Sequence, residues 1–168
     1  TKAKSVVGGK NKDFVEHLFT ASTHDYLMFF TNTGRVFVER VHEVPEMSRT
    51  AQGRSIANVL ELQPGEKVAA LIRVESQSDE KKKDTTWEQP GFLLFATENG
   101  TIKKTELSAF KNHRKGGIRA IKILEEDRLI EVKLTTGENE VILITRKGKS
   151  IRFKETDSRS MGRVTTGV

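Results

Sequence analysis

Cysteine is absent from the 168 residues, which excludes both a disulfide framework and a thiolate metal site. Long apolar runs are also missing. The longest, such as YLMFF, hold five residues, whereas a membrane-spanning helix needs about 20. The chain opens on Thr1 without a signal-peptide pattern. We therefore expect a cytoplasmic piece of a longer protein that has no membrane partner.

Catalytic patterns are equally scarce. The four histidines are scattered without metal-ligand spacing, and no Ser/His/Asp arrangement is evident. Gly148-Lys149-Ser150 is similar to the end of a phosphate-binding P-loop, but the glycine that this motif needs five residues before Gly148 is Leu143. We expect no active site, no metal and no cofactor in this chain.

Basic residues outnumber acidic ones. The chain has 29 Lys and Arg against 23 Asp and Glu, a net charge of +6 and a pI of about 9.6. Such an excess favours a polyanionic partner, nucleic acid first, although solubility alone remains the plain alternative. The distribution of charge along the chain has to decide between them.

An internal repeat organises the sequence. Three stretches each have an apolar run, a threonine, two variable residues, a glycine and a second alternating run: YLMFFTNTGRVF (26–37), FLLFATENGTIKK (92–104) and VILITRKGKSIRF (141–153). Their anchors are Thr31 and Gly34, Thr97 and Gly100, and Thr145 and Gly148. Two strands joined by a tight turn whose last position needs a positive φ fit this pattern, so it predicts three β-hairpins.

Further features repeat around the hairpins. A polar turn and an apolar strand precede each hairpin, and a loop with arginine and glycine follows it, which predicts units at about 13–60, 61–124 and 125–168. Residues 75–89 interrupt the spacing and are almost free of apolar side chains, so we expect a mobile surface loop there. Trp87 within it either covers an apolar edge or is a partly exposed loop residue. The pattern predicts an all-β, propeller-like fold of three to three and a half four-stranded blades, with a β-sandwich as the alternative.

The positive charge follows the repeat. Residues 101–122 hold seven Lys and Arg against one acid, residues 146–163 hold seven against two, and residues 35–54 hold four against three. If equivalent positions point the same way, these cations form a stripe along one rim that suits a phosphate backbone. Few aromatic residues lie in these segments, which favours duplex DNA over stacked single strands. A partner protein with an acidic surface remains the alternative.

The first repeat carries a family resemblance. THDYLMFFTNTGRVFVERVHEVPEMSRTAQGRSIANVLELQPGEKV resembles the first blade of the C-terminal domain of the DNA gyrase A subunit. LLFATENGTIKKTELSAF, RKGGIRAIKI and RFKETDSRSMGRVTTGV resemble the following blades in order. The related domain of the topoisomerase IV A subunit is the second choice.

The resemblance implies a β-pinwheel that covers residues 1–168 and exchanges strands between blades. Its basic rim would wrap duplex DNA and so support ATP-dependent negative supercoiling by the intact enzyme, a bacterial, nucleoid-associated assembly of two A and two B subunits. ATP and Mg²⁺ are expected in that enzyme and not in this fragment, which by itself should not cut DNA. Two departures are the missing blades of a family that usually has six, and KAKSVVGGK, which does not match the family's short basic box.

Carried over by position, the resemblance and the charge pattern predict the following DNA-contacting residues. They are Arg35, Arg49, Arg54, Lys103, Lys104, Arg114, Lys115, Arg119, Lys147, Lys149, Arg152, Arg159 and Arg163.

Overall fold

The computed structural model describes residues 16–46, 53 and 59–168. These residues form nine strands in three antiparallel sheets, with short 3₁₀ turns and no α-helix. Within the same ranges, no helix is long and apolar enough to span a membrane. The strands are β1 (Tyr26–Thr31), β2 (Arg35–Arg40), β3 (Val68–Val74), β4 (Phe92–Thr97), β5 (Ile102–Glu106), β6 (Ile118–Arg119), β7 (Leu129–Thr135), β8 (Glu140–Ile144) and β9 (Ser150–Lys154).

The three predicted hairpins are present in the same register. β1 pairs with β2, β4 with β5 and β8 with β9, and in each pair the first residue of the hairpin lies opposite the residue fourteen positions later. Two of the hairpins each pair with a further strand: β3 pairs with β1, and β7 pairs with β4. The apolar runs on either side of the turn residues therefore predicted the hairpin strands correctly.

The recurring threonine and glycine form each hairpin turn. The glycine N–H donates to the threonine carbonyl at 3.0, 3.0 and 2.9 Å in the successive turns. The threonine Oγ1 accepts the N–H of the residue after the glycine at 3.2, 3.0 and 3.1 Å. The three glycines have φ values of +91°, +90° and +82°, a region that other residues rarely enter.

Segments that follow a hairpin cross to the preceding sheet. β6 comes after the second hairpin in the sequence, yet it pairs with β2 of the first. In the same way, Ile102 of β5 exchanges two backbone hydrogen bonds with Val168, at 2.7 and 2.9 Å. The sheets are therefore offset from the units expected at 13–60, 61–124 and 125–168, since β3 and β6 lie in the second range and pair within the first sheet. This exchange gives the outer edge of each preceding hairpin a backbone partner.

The insertion at residues 75–89 is more ordered than the sequence predicts. Its tip is exposed, but Trp87 is only 5% exposed and belongs to the main hydrophobic core. A short 3₁₀ turn, Thr86–Glu88, carries this tryptophan, and the side chain of Asp84 binds the first sheet. The expectation of a mobile surface loop is wrong for this packed half, because one large apolar side chain is enough to anchor it.

The main core lies between the first and second sheets. Phe30 of β1 meets Phe95 and Phe110 edge to face, at 5.5 and 6.4 Å between ring centroids. The third hairpin is less covered, since Ile142, Ile144 and Ile151 are 61, 74 and 59% exposed. The first two hairpins therefore form the well-packed part of the fold. The crossing segments described below pack against it.

Replacing Gly34 by alanine should cost about 1–3 kcal/mol more unfolding free energy than the same change at Gly100. Both glycines have nearly the same positive φ, so backbone strain is matched in the two variants. An added Cβ at Gly34 would overlap the carbonyl oxygen of Ile121 in the crossing segment, whereas at Gly100 it would meet nothing within 4 Å. Urea unfolding of both variants measures the difference. Equal losses would mean that the crossing segment does not pack on the first turn.

Candidate nucleic-acid interface

The most basic crossing segment, residues 112–122, is held firmly to the first hairpin. We call it the basic loop. Arg35 donates from Nη2 to the Gly116 carbonyl at 2.5 Å, and Arg119 donates from Nη1 to the Thr33 carbonyl at 2.7 Å. Gly117 has a φ of +80°, and a Cβ there would lie 3.0 Å from the Phe37 ring. The loop therefore follows a defined path across the first sheet.

Exposed cations lie along this path. Arg114, Lys115 and Arg119 are all exposed. Among the described residues, no hydrogen bond or ion pair engages the Arg114 or Lys115 side chain within bonding distance. A rigid backbone that presents unpaired cations suits phosphate binding, because little order has to be imposed on association.

A second group of exposed cations surrounds the third hairpin. Lys147 and Lys149 flank Gly148 in its turn, and both are exposed. Arg152 of β9 has a side chain that is 75% exposed, with its Nε 4.0 Å from Glu140 Oε2. Arg159, at the start of the final crossing segment, is exposed as well. All four side chains are therefore open to solvent, and their role as DNA contacts stays a prediction.

Lys103 does not lie on the surface. It is 0% exposed, and its Nζ donates to the carbonyl oxygens of Ala120, Arg163 and Thr165 at 2.7, 2.7 and 3.2 Å. Burial lowers its pKa to about 8, and the charge of Arg163 adds to the shift. The prediction of a phosphate contact is wrong here, because the final crossing segment covers the face of β5 to which this side chain points.

Lys104 is buried on the other face of β5. It is 6% exposed, and its Nζ lies 3.3 Å from the Glu155 carbonyl and 3.9 Å from Glu155 Oε1. The same ammonium lies 4.6 Å from the centre of the Phe92 ring. Its predicted role as a DNA contact is therefore also wrong, since the charge is used to join the second and third hairpins.

Arg35 and Arg163 are largely engaged inside the protein. The Arg35 side chain is 15% exposed and pairs with Glu66 Oε1 at 2.9 Å, in addition to its bond to Gly116. Arg163 is half-buried and donates from Nη1 to the Arg119 carbonyl at 2.9 Å. Arg35 is thus not available to a phosphate, and Arg163 retains only part of its donor capacity. Arg49 and Arg54 lie outside the described residues.

Each of the first two turns is bound by a carboxylate whose role the sequence did not predict. Glu66 is buried and accepts hydrogen bonds from the Thr31 and Thr33 hydroxyls and from Arg35. Burial would raise the pKa of Glu66, but these bonds and a backbone N–H together lower it. Asp127 accepts the Asn99 N–H at 3.0 Å in the second turn. Glu66 lies two residues before β3, and Asp127 lies two residues before β7. This shared spacing is the sequence signal for an acid that binds the turn.

Two acids lie beside the basic loop. Glu39 and Glu43 line one groove with Lys115. Burial raises the pKa of Glu39 to about 7, and the hydrogen bond and charge of Glu43 add to the shift. The bond from Glu39 in turn lowers the pKa of Glu43. Glu39 is therefore about half protonated near neutral pH, which limits the negative charge next to Lys115.

The Glu39→Gln variant should remove a pH dependence of stability. Because the pKa of Glu39 rises from 4.5 to about 7 on folding, the folded chain holds more protons than the unfolded one between those values. The stabilisation is complete below pH 4.5 and is lost as the pH rises through 7, an effect on the order of 1–3 kcal/mol. Urea unfolding at pH 5 and pH 8 should show this loss in the wild type and in a Glu138→Gln control, and not in Glu39→Gln. An unchanged difference in Glu39→Gln would refute the assignment.

The chain is similar to a known family over most of its described length. The family model for the DNA gyrase C-terminal domain, a β-propeller, matches residues 25–75, 91–136 and 139–168. The DNA gyrase A subunit of Mycolicibacterium smegmatis is 43% identical over 163 residues, which are 96% of this chain and 18% of that protein. The corresponding gyrase protein of Halalkalibacterium halodurans is 43% identical over 162 residues, again 96% and 18%.

Solved structures agree with these relatives. The C-terminal domain of DNA topoisomerase IV matches with a TM-score of 0.74 and 33% identity, over 87% of this chain and 42% of that one. The DNA gyrase A C-terminal domain matches with a TM-score of 0.66 over 88% and 43%, and its 24% identity supports the fold alone. The chain spans about one fifth of the length of the curated relatives. These findings confirm the resemblance seen in the sequence and the propeller-like fold class.

Proposed function

Because the chain belongs to the DNA gyrase C-terminal β-propeller family, we propose that it is a non-catalytic module that binds duplex DNA without sequence preference and bends it along an exposed basic surface. The bound DNA would lie across the basic loop and the third hairpin. Arg114, Lys115, Arg119, Lys147, Lys149, Arg152 and Arg159 would provide the phosphate contacts, with a smaller contribution from Arg163.

One observation carries this proposal: cations recur on equivalent crossing segments. The basic loop crosses to β2 after the second hairpin, and residues 158–168 cross to β5 after the third. Each crossing segment has exposed basic side chains, with Arg114 in the first and Arg159 in the second. Repetition of one positively charged feature on successive sheets suits a polymer of evenly spaced phosphates.

The same surface gives little support to base readout. The exposed side chains of the basic loop and the third hairpin are mainly Lys and Arg, which contact phosphates as readily as bases. Aromatic side chains of the described core, such as Phe30 and Phe95, are buried and cannot stack on unpaired bases. Affinity should therefore depend strongly on salt and weakly on sequence.

The larger role follows from the family. In the whole protein, a curved DNA path on this domain would present DNA to the cleavage core of the parent chain and to the gyrase B protein, and so support ATP-dependent negative supercoiling in the bacterial cytoplasm. The chemistry of strand cleavage and the binding of ATP and Mg²⁺ would then belong to other parts of that assembly.

Ligation of nicked circular DNA tests wrapping directly. The circle is incubated with the 168-residue chain, sealed with ligase, stripped of protein and analysed by topoisomer counting. Wrapping shifts the distribution of linking numbers in proportion to the bound protein, because the bound writhe is trapped on sealing. An unshifted distribution at saturating protein would contradict wrapping and leave simple duplex binding.

Duplex length separates DNA binding from the alternative of a protein-interaction module. If phosphates along the surface are bound together, the affinity should rise with duplex length up to the length of the surface and then level off. An acidic protein partner would make binding indifferent to DNA length. The measurement is a titration of labelled duplexes from about 10 to 60 base pairs at constant salt, a span chosen to bracket specific protein–DNA interfaces.

A further inference from the structure

The insertion and the basic loop meet in a cluster of three rings. The Trp87 ring lies 5.1 Å from Tyr26 and 5.3 Å from His113, and Tyr26 lies 5.9 Å from His113, all measured between centroids. Trp87 comes from the insertion, Tyr26 from β1 and His113 from the basic loop. His113 directly precedes Arg114 and Lys115 in the sequence. The cluster therefore touches the loop at the point where its exposed cations begin.

The insertion is tied to the first sheet next to this cluster. Asp84 accepts hydrogen bonds from the Tyr26 hydroxyl at 2.5 Å and from Arg40 Nη2 at 3.1 Å. The Arg40 guanidinium also lies over the Tyr26 ring, 3.9 Å from its centre. Burial would raise the pKa of Asp84, but the bonds from Thr86 and Tyr26 and the charge of Arg40 outweigh it and lower the pKa. Asp84 is therefore a charged anchor at neutral pH.

His113 is itself fixed in orientation. Its Nδ1 lies 3.0 Å from the Phe110 carbonyl, which makes this nitrogen the donor and leaves the ring packed against the other two. A second link from the insertion lies nearby, since Lys111 Nζ pairs with Glu88 Oε1 at 2.9 Å. The start of the basic loop is thus held by the insertion, whereas its end is held by β2 through Arg35 and Arg119.

We propose that the insertion positions the basic loop for DNA, with Trp87 and His113 as positioning residues that hold Arg114 and Lys115 in place. The proposal rests on the proposed DNA-binding function and adds to it a role for residues 75–89. A loop held at both ends presents its cations without having to be ordered on association. Release of the start of the loop would leave the same charges present but mobile.

The His113→Ala variant tests the proposal, because this side chain is half-buried and its loss leaves the core intact. We expect duplex affinity at ~0.1 M salt to fall roughly five- to ten-fold, since a loop that must be ordered on association gives up affinity. Trp87→Phe provides a second variant that keeps an aromatic ring in the core, and a smaller loss in the same direction is expected. Gln77→Ala, on the exposed side of the insertion, should bind as the wild type does.

A double-mutant cycle distinguishes positioning from general destabilisation. In a chain that already carries Arg114→Ala and Lys115→Ala, His113→Ala should cause no further loss of affinity, because the cations that it positions are gone. Equal losses in both backgrounds would overturn the proposal. If His113→Ala binds DNA as the wild type does while the Arg114/Lys115 variant binds more weakly, the positioning role is refuted. The proposed DNA-binding surface is then still supported. Wild-type affinity of the Arg114/Lys115 variant itself would overturn the DNA surface and this proposal together.

Fluorescence provides a readout inside the cluster, because Trp87 is the single tryptophan of the chain. Removal of the His113 ring should shift and intensify or quench the Trp87 emission, since one face of the indole loses its neighbour. Emission of His113→Ala identical to that of the wild type would contradict contact between the two rings.

Discussion

The chain with Arg114→Ala and Lys115→Ala should bind duplex DNA about two orders of magnitude more weakly than the wild type at ~0.1 M salt. Each phosphate contact releases roughly 0.9 counterions, so that each lost contact costs close to ten-fold at this salt concentration. Both side chains are exposed on a loop whose backbone is held by Arg35 and Arg119, and their removal should leave the fold intact. Fluorescence anisotropy with two unrelated duplexes measures the loss.

The matched control removes two charges elsewhere. Lys67 and Arg128 are exposed and line one groove beside β3 and β7, with none of the basic loop in its lining. Arg128 pairs with Glu98 at 2.9 Å. Their replacement by alanine should change affinity much less, because only the general attraction between protein and DNA is reduced. An equal loss in the control would show that net charge alone determines binding. A loss confined to one of the two duplexes would show that the loop reads bases.

Replacing Lys103 by methionine should lower the unfolding free energy by about 3 kcal/mol or more. The methionine fills the space, but the Ala120 and Arg163 carbonyls lose their donor, whereas the Thr165 carbonyl still accepts the Lys122 N–H. A buried acceptor without a partner costs roughly 1–3 kcal/mol. These carbonyls belong to both crossing segments, so the loss should also loosen residues 160–168. Urea unfolding and amide hydrogen exchange of that segment measure the two effects.

Lys147→Met is the control for this change, because it removes the same charge from an exposed turn. It should alter stability by less than ~0.5 kcal/mol and weaken DNA binding by close to ten-fold at ~0.1 M salt. The two variants together separate structural lysines from DNA-binding lysines. A stable Lys103→Met variant with weakened DNA binding would reverse the assignment made from burial.

The local structure of the hairpins could be predicted from the sequence because it depends on near neighbours. Thr31 and Gly34 form the first turn by themselves, and the same pair of residue types recurs in the other two turns. The short apolar runs that flank the turns then favour buried strands, and β1 is buried along its whole length. Neither feature requires knowledge of a distant part of the chain.

The roles of individual cations could not be predicted, because they depend on segments that are distant in the sequence. Lys103 and Phe37 occupy the same position in their hairpins, three residues after the turn glycine. Both are fully buried by the segment that crosses from the next hairpin. A lysine there is tolerated only because that segment offers two carbonyl oxygens and the basic loop offers a third. A count of charged residues along the sequence does not distinguish Lys103 from Lys147, which lies in an exposed turn.

The sequence did not decide how the insertion packs, for a similar reason. Residues 75–89 are polar on average, and average composition predicts a mobile loop. One tryptophan and one aspartate nevertheless bind it to the first sheet, since Trp87 enters the core and Asp84 accepts from Tyr26 and Arg40. The partners of both side chains are apparent only once β1 and the basic loop are folded together.

The salt dependence of duplex binding tests the central claim most directly, namely that exposed cations of this domain bind DNA phosphates. If about six phosphates are neutralised, the logarithm of the association constant should fall against the logarithm of salt concentration with a slope of roughly −5. The slope should weaken by about 2 in the Arg114/Lys115 variant and stay unchanged in the Lys67/Arg128 control. A slope near zero for the wild type would contradict phosphate binding and, with it, the function proposed for this domain.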